Sequence, residues 1–173
     1  VNTVVRALRE RAGSILVFLP GQREITAVAR DLTEVLKVLG DQRIQLASLY
    51  GGLSLERQQQ AIQPAPQGMR KIVLSTNLAE TSLTIEGISV VVDSGLVREP
   101  VFDTSTGITR LTTRRISKAS AEQRQGRAGR QEPGYCYRLW SEQQQSRLVP
   151  YATPEILQAD LARAGAADGD AAR

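Results

Sequence analysis

The chain has no histidine, one cysteine and one methionine, and aromatic residues make up only 4% of its 173 residues. A single cysteine excludes a disulfide within the chain, and the lack of histidine excludes a Cys/His zinc site. Cys136 stands in the alternating stretch Tyr135-Cys136-Tyr137 and reads as a small strand residue of the core. Long hydrophobic runs are missing too. None approaches the about 20 residues that a membrane-spanning helix needs, and no signal peptide opens the sequence. Cytoplasm is therefore the expected compartment, with no membrane partner and no metal-ligand set. One further gap is chemical: the glycine-rich loop ending in Gly-Lys-Ser/Thr, which cradles nucleotide phosphates, occurs nowhere.

What is present is an ordinary globular composition with a basic tilt. Hydrophobic residues make up 41%, enough for one domain with a core. The formal net charge of +4 and a pI of about 9.6 suit a polyanionic partner. Apolar runs at residues 15–19, 44–49, 71–74, 90–92 and 135–139 read as strands. Between the first two, Ile25, Val28, Ala29, Leu32, Val35, Leu36 and Leu39 recur at helical steps, and Gly40 closes the run. Ser54 caps a short polar helix through about Ile62, ended by Pro64 and Pro66. Helical segments are expected near residues 119–127 and 141–148. Strands alternating with helices predict an α/β fold with a mostly parallel sheet covered on both faces. One stretch breaks the alternation. Two β-prone runs at 97–102 and 108–113 flank Asp103-Thr104-Ser105-Thr106-Gly107, which reads as a β-hairpin.

Residues 123–130 carry the strongest chemical signal: Gln-Arg-Gln-Gly-Arg-Ala-Gly-Arg. Arg127 and Arg130 are three apart, which on a helical turn places both guanidiniums on one face. Their planar donor forks match phosphate oxygens. Arg124 cannot fully share that face and reads as structural, paired with an acid. Gly126 and Gly129 are expected to let backbone approach closely. The spacing of Ser120 and Gln123 also fits a capping box, so Gln123 has a purely local reading as well. A second string, Ser75-Thr76-Asn77-Leu78-Ala79-Glu80-Thr81-Ser82-Leu83-Thr84-Ile85, follows the strand at 71–74. Small polar residues beyond a strand's carboxyl end leave hydroxyls and backbone N–H groups for a ligand.

These two strings resemble motifs VI and V of the DEAH-box RNA helicases of superfamily 2. Leu16-Val17-Phe18-Leu19-Pro20-Gly21 with Glu24-Ile25 resembles motif IV, Leu49-Tyr50-Gly51-Gly52-Leu53 resembles the next motif, and Val90 to Gly95 resembles the strand after motif V. The likeness covers roughly residues 14–157 and is nearest the bacterial HrpB-type members in Gln63-Pro64-Ala65-Pro66, Gly68-Met69-Arg70-Lys71 and Arg138-Leu139-Trp140-Ser141-Glu142. It implies a second RecA-like domain over residues 1–157. Residues 158–173 are then the start of a further domain, which Pro154-Glu155-Ile156 resembles, or a disordered tail; Arg163 to Arg173 has the composition of one. The family's Asp-Glu-x-His string is impossible here without histidine.

The resemblance implies ATP with Mg²⁺ held mainly by an absent first RecA-like domain, and single-stranded RNA as substrate. Partners are that first domain and the C-terminal helicase domains. Arg127, Arg130 and Gln123 are the implied catalytic residues. Gly126, Glu86 near the ribose and Ile62 over the base complete the implied nucleotide set. Ile62 stands where many family members carry a stacking Phe. Glu86 equally fits a solvated turn acid. Gly51, Gly52 and Thr81 are implied to hold RNA phosphates, with Ser75 and Asn77 steadying the loop. The hairpin is implied to lie beside the nucleic-acid strand, although its residues alone equally fit an ordinary edge hairpin. Two other readings remain: a non-catalytic RNA- or partner-binding module, and an unrelated enzyme using Asp93 and Glu80 as an acid/base pair.

Overall fold

A computed structural model describes residues 1–130 and 132–152. The residue range 158–173 and the Pro154-Glu155-Ile156 phrase lie outside the described residues. The elements run α1 (Asn2–Glu10), β1 (Ser14–Phe18), α2 (Gln22–Leu39), β2 (Ile44–Leu49), α3 (Leu55–Ile62), β3 (Arg70–Ser75), α4 (Leu78–Thr81), β4 (Ile88–Asp93), β5 (Leu96–Asp103), β6 (Ile108–Arg115), α5 (Lys118–Gln125), β7 (Tyr135–Arg138) and α6 (Glu142–Ser146). Five strands form one sheet in the order β2-β3-β1-β4-β7, and every pairing in it is parallel. β5 and β6 form a separate antiparallel hairpin, from Leu96 opposite Arg115 to Asp103 opposite Ile108.

The period of two along the central strands divides the core into two layers. Ile15, Val17, Ile72, Leu74, Val90 and Val92 face α1 and α2, where Val4, Ala7, Ile25 and Leu32 are buried. Leu16, Phe18, Val73 and Val91 face the other way, onto Ala61 of α3 and Ala79 of α4. Helices thus cover both faces, as the sequence pattern predicts. The sequence reading assigns no element before Ile15, yet α1 is there. It is short, and its β-branched Thr3, Val4 and Val5 work against helix propensity; the burial of Val4 and Ala7 outweighs that.

Caps follow local chemistry. The Ser54 hydroxyl accepts from the Arg57 N–H to open α3, and the Gly40 N–H bonds the carbonyls of Leu36 and Lys37 to close α2. Ser141 and Gln144 make a reciprocal capping box at α6. The expected Ser120–Gln123 box does not form. The cap lies three residues earlier, at Ser117, which accepts from the Ser120 N–H and opens α5 at Lys118.

Two inward cations tie helix ends to β3. Arg70 donates to the carbonyls of Leu8, Arg11 and Gly13 at and beyond the end of α1. Lys71 donates to the carbonyls of Gln60 and Gln63 at 2.7 and 2.9 Å, closing α3. Burial lowers the pKa of both cations.

Cys136 is half-buried against the second core layer. Burial, aided by the Asp93 charge, pushes its thiol from 9.0 up to about 11. At pH 8 this leaves roughly 100-fold less thiolate than an ordinary cysteine. Alkylation by iodoacetamide is therefore expected to be slower by about that factor and to recover in urea.

Candidate functional site

The candidate residues fall at the two ends of the parallel sheet. At the carboxyl ends lie the turn Tyr50-Gly51-Gly52 after β2 and Ser75-Thr76-Asn77 after β3. Gly51, Gly52 and Asn77 are exposed, and Asn77 opens α4 without a side-chain cap bond. Ser75 is buried, and its hydroxyl donates to the Thr76 carbonyl at 2.8 Å. Its side chain therefore holds the loop from beneath and does not face a ligand. Thr81 is exposed at the end of α4.

The remaining candidates emerge at the opposite end. α5 returns from the hairpin root toward the amino end of β7, so residues 126–130 and 132–134 surface at the amino ends of the strands. The Gly129 N–H bonds the Ile88 carbonyl at 3.0 Å and pins the turn to the start of β4. A concavity of about 510 Å³ opens here. Arg127, Arg130 and Glu132 line it from one side, Glu86, Gly87 and Ser89 from another, and Pro64 and Gly13 complete the rim. The nucleotide candidates thus do not share the carboxyl-end site suggested by single-domain α/β sheets.

Arg127 and Arg130 meet for a reason other than helical spacing. α5 ends at Gln125, and the two arginines occupy the turn that follows. The Arg127 Nε donates to the Glu80 carbonyl at 2.6 Å, which orients its guanidinium. Arg130 is exposed and makes no ion pair among the described residues. Gln123 is exposed on α5 and lies outside the concavity, and Gly126 lines a different one beside Gln125, Gly134 and Cys136. Ile62 is half-buried against the core, and its neighbour two residues on, Pro64, reaches the rim instead.

The two glycines of the turn differ. Gly126 has φ −66, and a Cβ there would make ordinary contacts, so close approach does not require it. Gly129 has φ +79, and a Cβ would stand 2.3 Å from the Gly134 nitrogen. Gly129→Ala is expected to cost about 1–3 kcal/mol and to displace Arg130, read as a lower melting temperature.

Beneath the turn lies a charged network. Arg124 is fully buried. Its Nε donates to Glu80 Oε1 and its Nη1 to Asp93 Oδ1, both at 2.9 Å, and both terminal nitrogens reach the Leu96 carbonyl at 3.2 Å. Its guanidinium carbon stands 4.8 Å from the Phe18 ring centroid. The acid partner expected from spacing is thus two acids. This removes the reading of Asp93 and Glu80 as a catalytic acid/base pair, because one buried guanidinium holds both carboxylates. Glu80 is the residue that sequence reasoning left without a structural role. The usable signal was that a buried arginine must be matched by carboxylates.

The architecture is that of a RecA-like α/β domain with an added hairpin. The family described as helicase conserved C-terminal domain matches residues 1–132, and the chain belongs to that family. It is 53% identical over 154 residues to the ATP-dependent RNA helicase HrpB of Escherichia coli, covering 89% of this chain and 18% of that protein. It is 47% identical over 157 residues to the pre-mRNA-splicing factor ATP-dependent RNA helicase prp22 of Schizosaccharomyces pombe, covering 89% of this chain and 13% of that protein. A crystal structure of Escherichia coli DEAH/RHA helicase HrpB superposes with a TM-score of 0.85 at 51% identity, over 92% of this chain and 20% of that one. The chain therefore spans about a fifth or less of the length of these relatives.

Proposed function

We propose that this chain is the second motor domain of an ATP-dependent RNA helicase, inactive alone and completed by a first domain that carries the phosphate cradle. The observation that supports it best is the shared concavity of Arg127, Arg130 and Glu86 in a sequence without any Gly-Lys-Ser/Thr loop. Two guanidiniums that make no ion pair among the described residues suit the charge that spreads over a transferring phosphoryl group. In this reading Arg127 and Arg130 face the ATP phosphates when the domains close, and closure brings Gln123 toward the attacking water. Glu86 meets the ribose, and Ile62 with Pro64 walls the base. Among the described residues no group of three acidic, cysteine or histidine side chains could hold a metal. In this reading ATP and Mg²⁺ are held mainly by the first domain.

Gly51, Gly52 and Thr81 would contact the phosphates of single-stranded RNA at the other end of the sheet, with Ser75 and Asn77 supporting the loop. Phosphate contacts carry little sequence information, so weak sequence preference follows. Among the described residues no helix is long and apolar enough to cross a membrane.

The test is assembly. The isolated chain is expected to hydrolyse no ATP. Joined to a cradle-bearing first domain, it is expected to hydrolyse ATP with stimulation by single-stranded RNA. RNA binding with no hydrolysis in the joined protein would favour a non-catalytic binding module instead.

A further inference from the structure

We infer that Arg124 is a positioning residue that relays the state of the arginine turn to the root of the β5–β6 hairpin. The inference rests on the functional reading above, in which that turn faces nucleotide. Three observations carry it. First, Glu80 joins both arginines: its carbonyl accepts from Arg127 Nε, and its carboxylate accepts from Arg124 Nε and from the Ser120 hydroxyl. A phosphate that draws Arg127 with this bond intact pulls on the Glu80 backbone, whose side chain holds Arg124. Second, the far side of the Arg124 guanidinium grips the Leu96 carbonyl with both terminal nitrogens. Leu96 is the first residue of β5, where the hairpin leaves the sheet.

Third, Asp93 Oδ2 is buried and has no hydrogen-bond partner among the described residues. Its other oxygen already accepts from Arg124 and from the Gly95 N–H. A buried carboxylate oxygen left unpaired needs a reason. Here it is a free acceptor on the same carboxylate that the guanidinium already holds. A small shift of Arg124 can make the Asp93 pair bidentate while releasing Leu96, so no charge is left alone in either arrangement. The network would thus have two charge-paired arrangements that differ in which buried oxygen goes without a donor and in whether the hairpin root is held. Movement at the amino ends of the strands then reaches the arm at the carboxyl ends through one side chain.

Hydrogen exchange in the full-length protein tests this. A non-hydrolysable ATP analogue is expected to change exchange at hairpin amides 96–103 and 108–115 by roughly five-fold or more. In Arg124→Lys, which keeps the charge but loses the fork, that response is expected to shrink below about two-fold while the analogue still binds. An unresponsive wild-type hairpin, or an undiminished response in the variant, overturns the relay. If Arg124→Lys does not fold, Glu80→Gln serves: it keeps the Arg124–Asp93 pair and the Arg127 bond to the residue 80 carbonyl, and weakens the side-chain link between the two arginines. A full response in it also overturns the relay. Arg127→Ala separates the two levels. Wild-type hydrolysis in that variant would defeat the functional reading. Lost hydrolysis with an intact hairpin response in Arg124→Lys would defeat the relay alone.

Discussion

Arg130→Ala is expected to reduce RNA-stimulated ATP hydrolysis by roughly 10³-fold or more in the joined two-domain protein, the lower end of the range for arginine fingers. The fall should appear in kcat, because the guanidinium acts on charge that develops during phosphoryl transfer. Folding should be untouched. Arg130 is exposed and has no ion pair among the described residues, so its loss should alter stability by no more than about 0.5 kcal/mol. This separation makes Arg130 a cleaner probe than Arg127, whose Nε also holds the Glu80 carbonyl. A drop of less than about ten-fold, with the melting temperature unchanged, would remove Arg130 from the chemistry.

The second large effect concerns stability. Arg124→Ala should destabilise the fold by about 3–5 kcal/mol, because it strands the carboxylates of Asp93 and Glu80. Asp93 is fully buried and Glu80 only 15% exposed at its side chain, so water cannot replace the lost partner. For a chain of this size the melting temperature should fall by roughly 10 °C, measured by circular dichroism. The triple change Arg124→Met, Asp93→Asn, Glu80→Gln should recover more than half of that loss. It leaves no charge buried, and the amide introduced at position 93 keeps an oxygen that can still accept from the Gly95 N–H. Equal stability of the single and triple variants would show that side-chain packing, not unpaired charge, dominates.

Much of the fold was legible because strand and helix periods alternate cleanly from Ile15 to Arg138. The buried strands β1, β3 and β4 announce themselves as unbroken apolar runs, which both-sided burial requires. The hairpin was legible from its turn residues. α1 was not, since its apolar positions, Val4, Val5, Ala7 and Leu8, are few and half of them are β-branched. The candidate site could be named from the sequence as a set of residues, but its arrangement could not. Arg127 and Arg130 do share a concavity, yet a post-helix turn brings them together. Gln123, Gly126 and Ile62 lie outside it, and Ser75 points inward. Which sheet end each residue occupies depends on the direction of the preceding helix, and a motif string carries no direction. The hub role of Glu80 depends on contacts forty or more positions away, which no local pattern encodes.

The hairpin closes on itself before the chain rejoins the sheet: the Ile116 N–H bonds the Gly95 carbonyl at 3.0 Å. To the strands on either side, the whole excursion therefore counts as a short loop. Its reach can be lengthened, trimmed or resurfaced over evolutionary time while the sheet beneath keeps its register, so arm and core can diversify at separate rates.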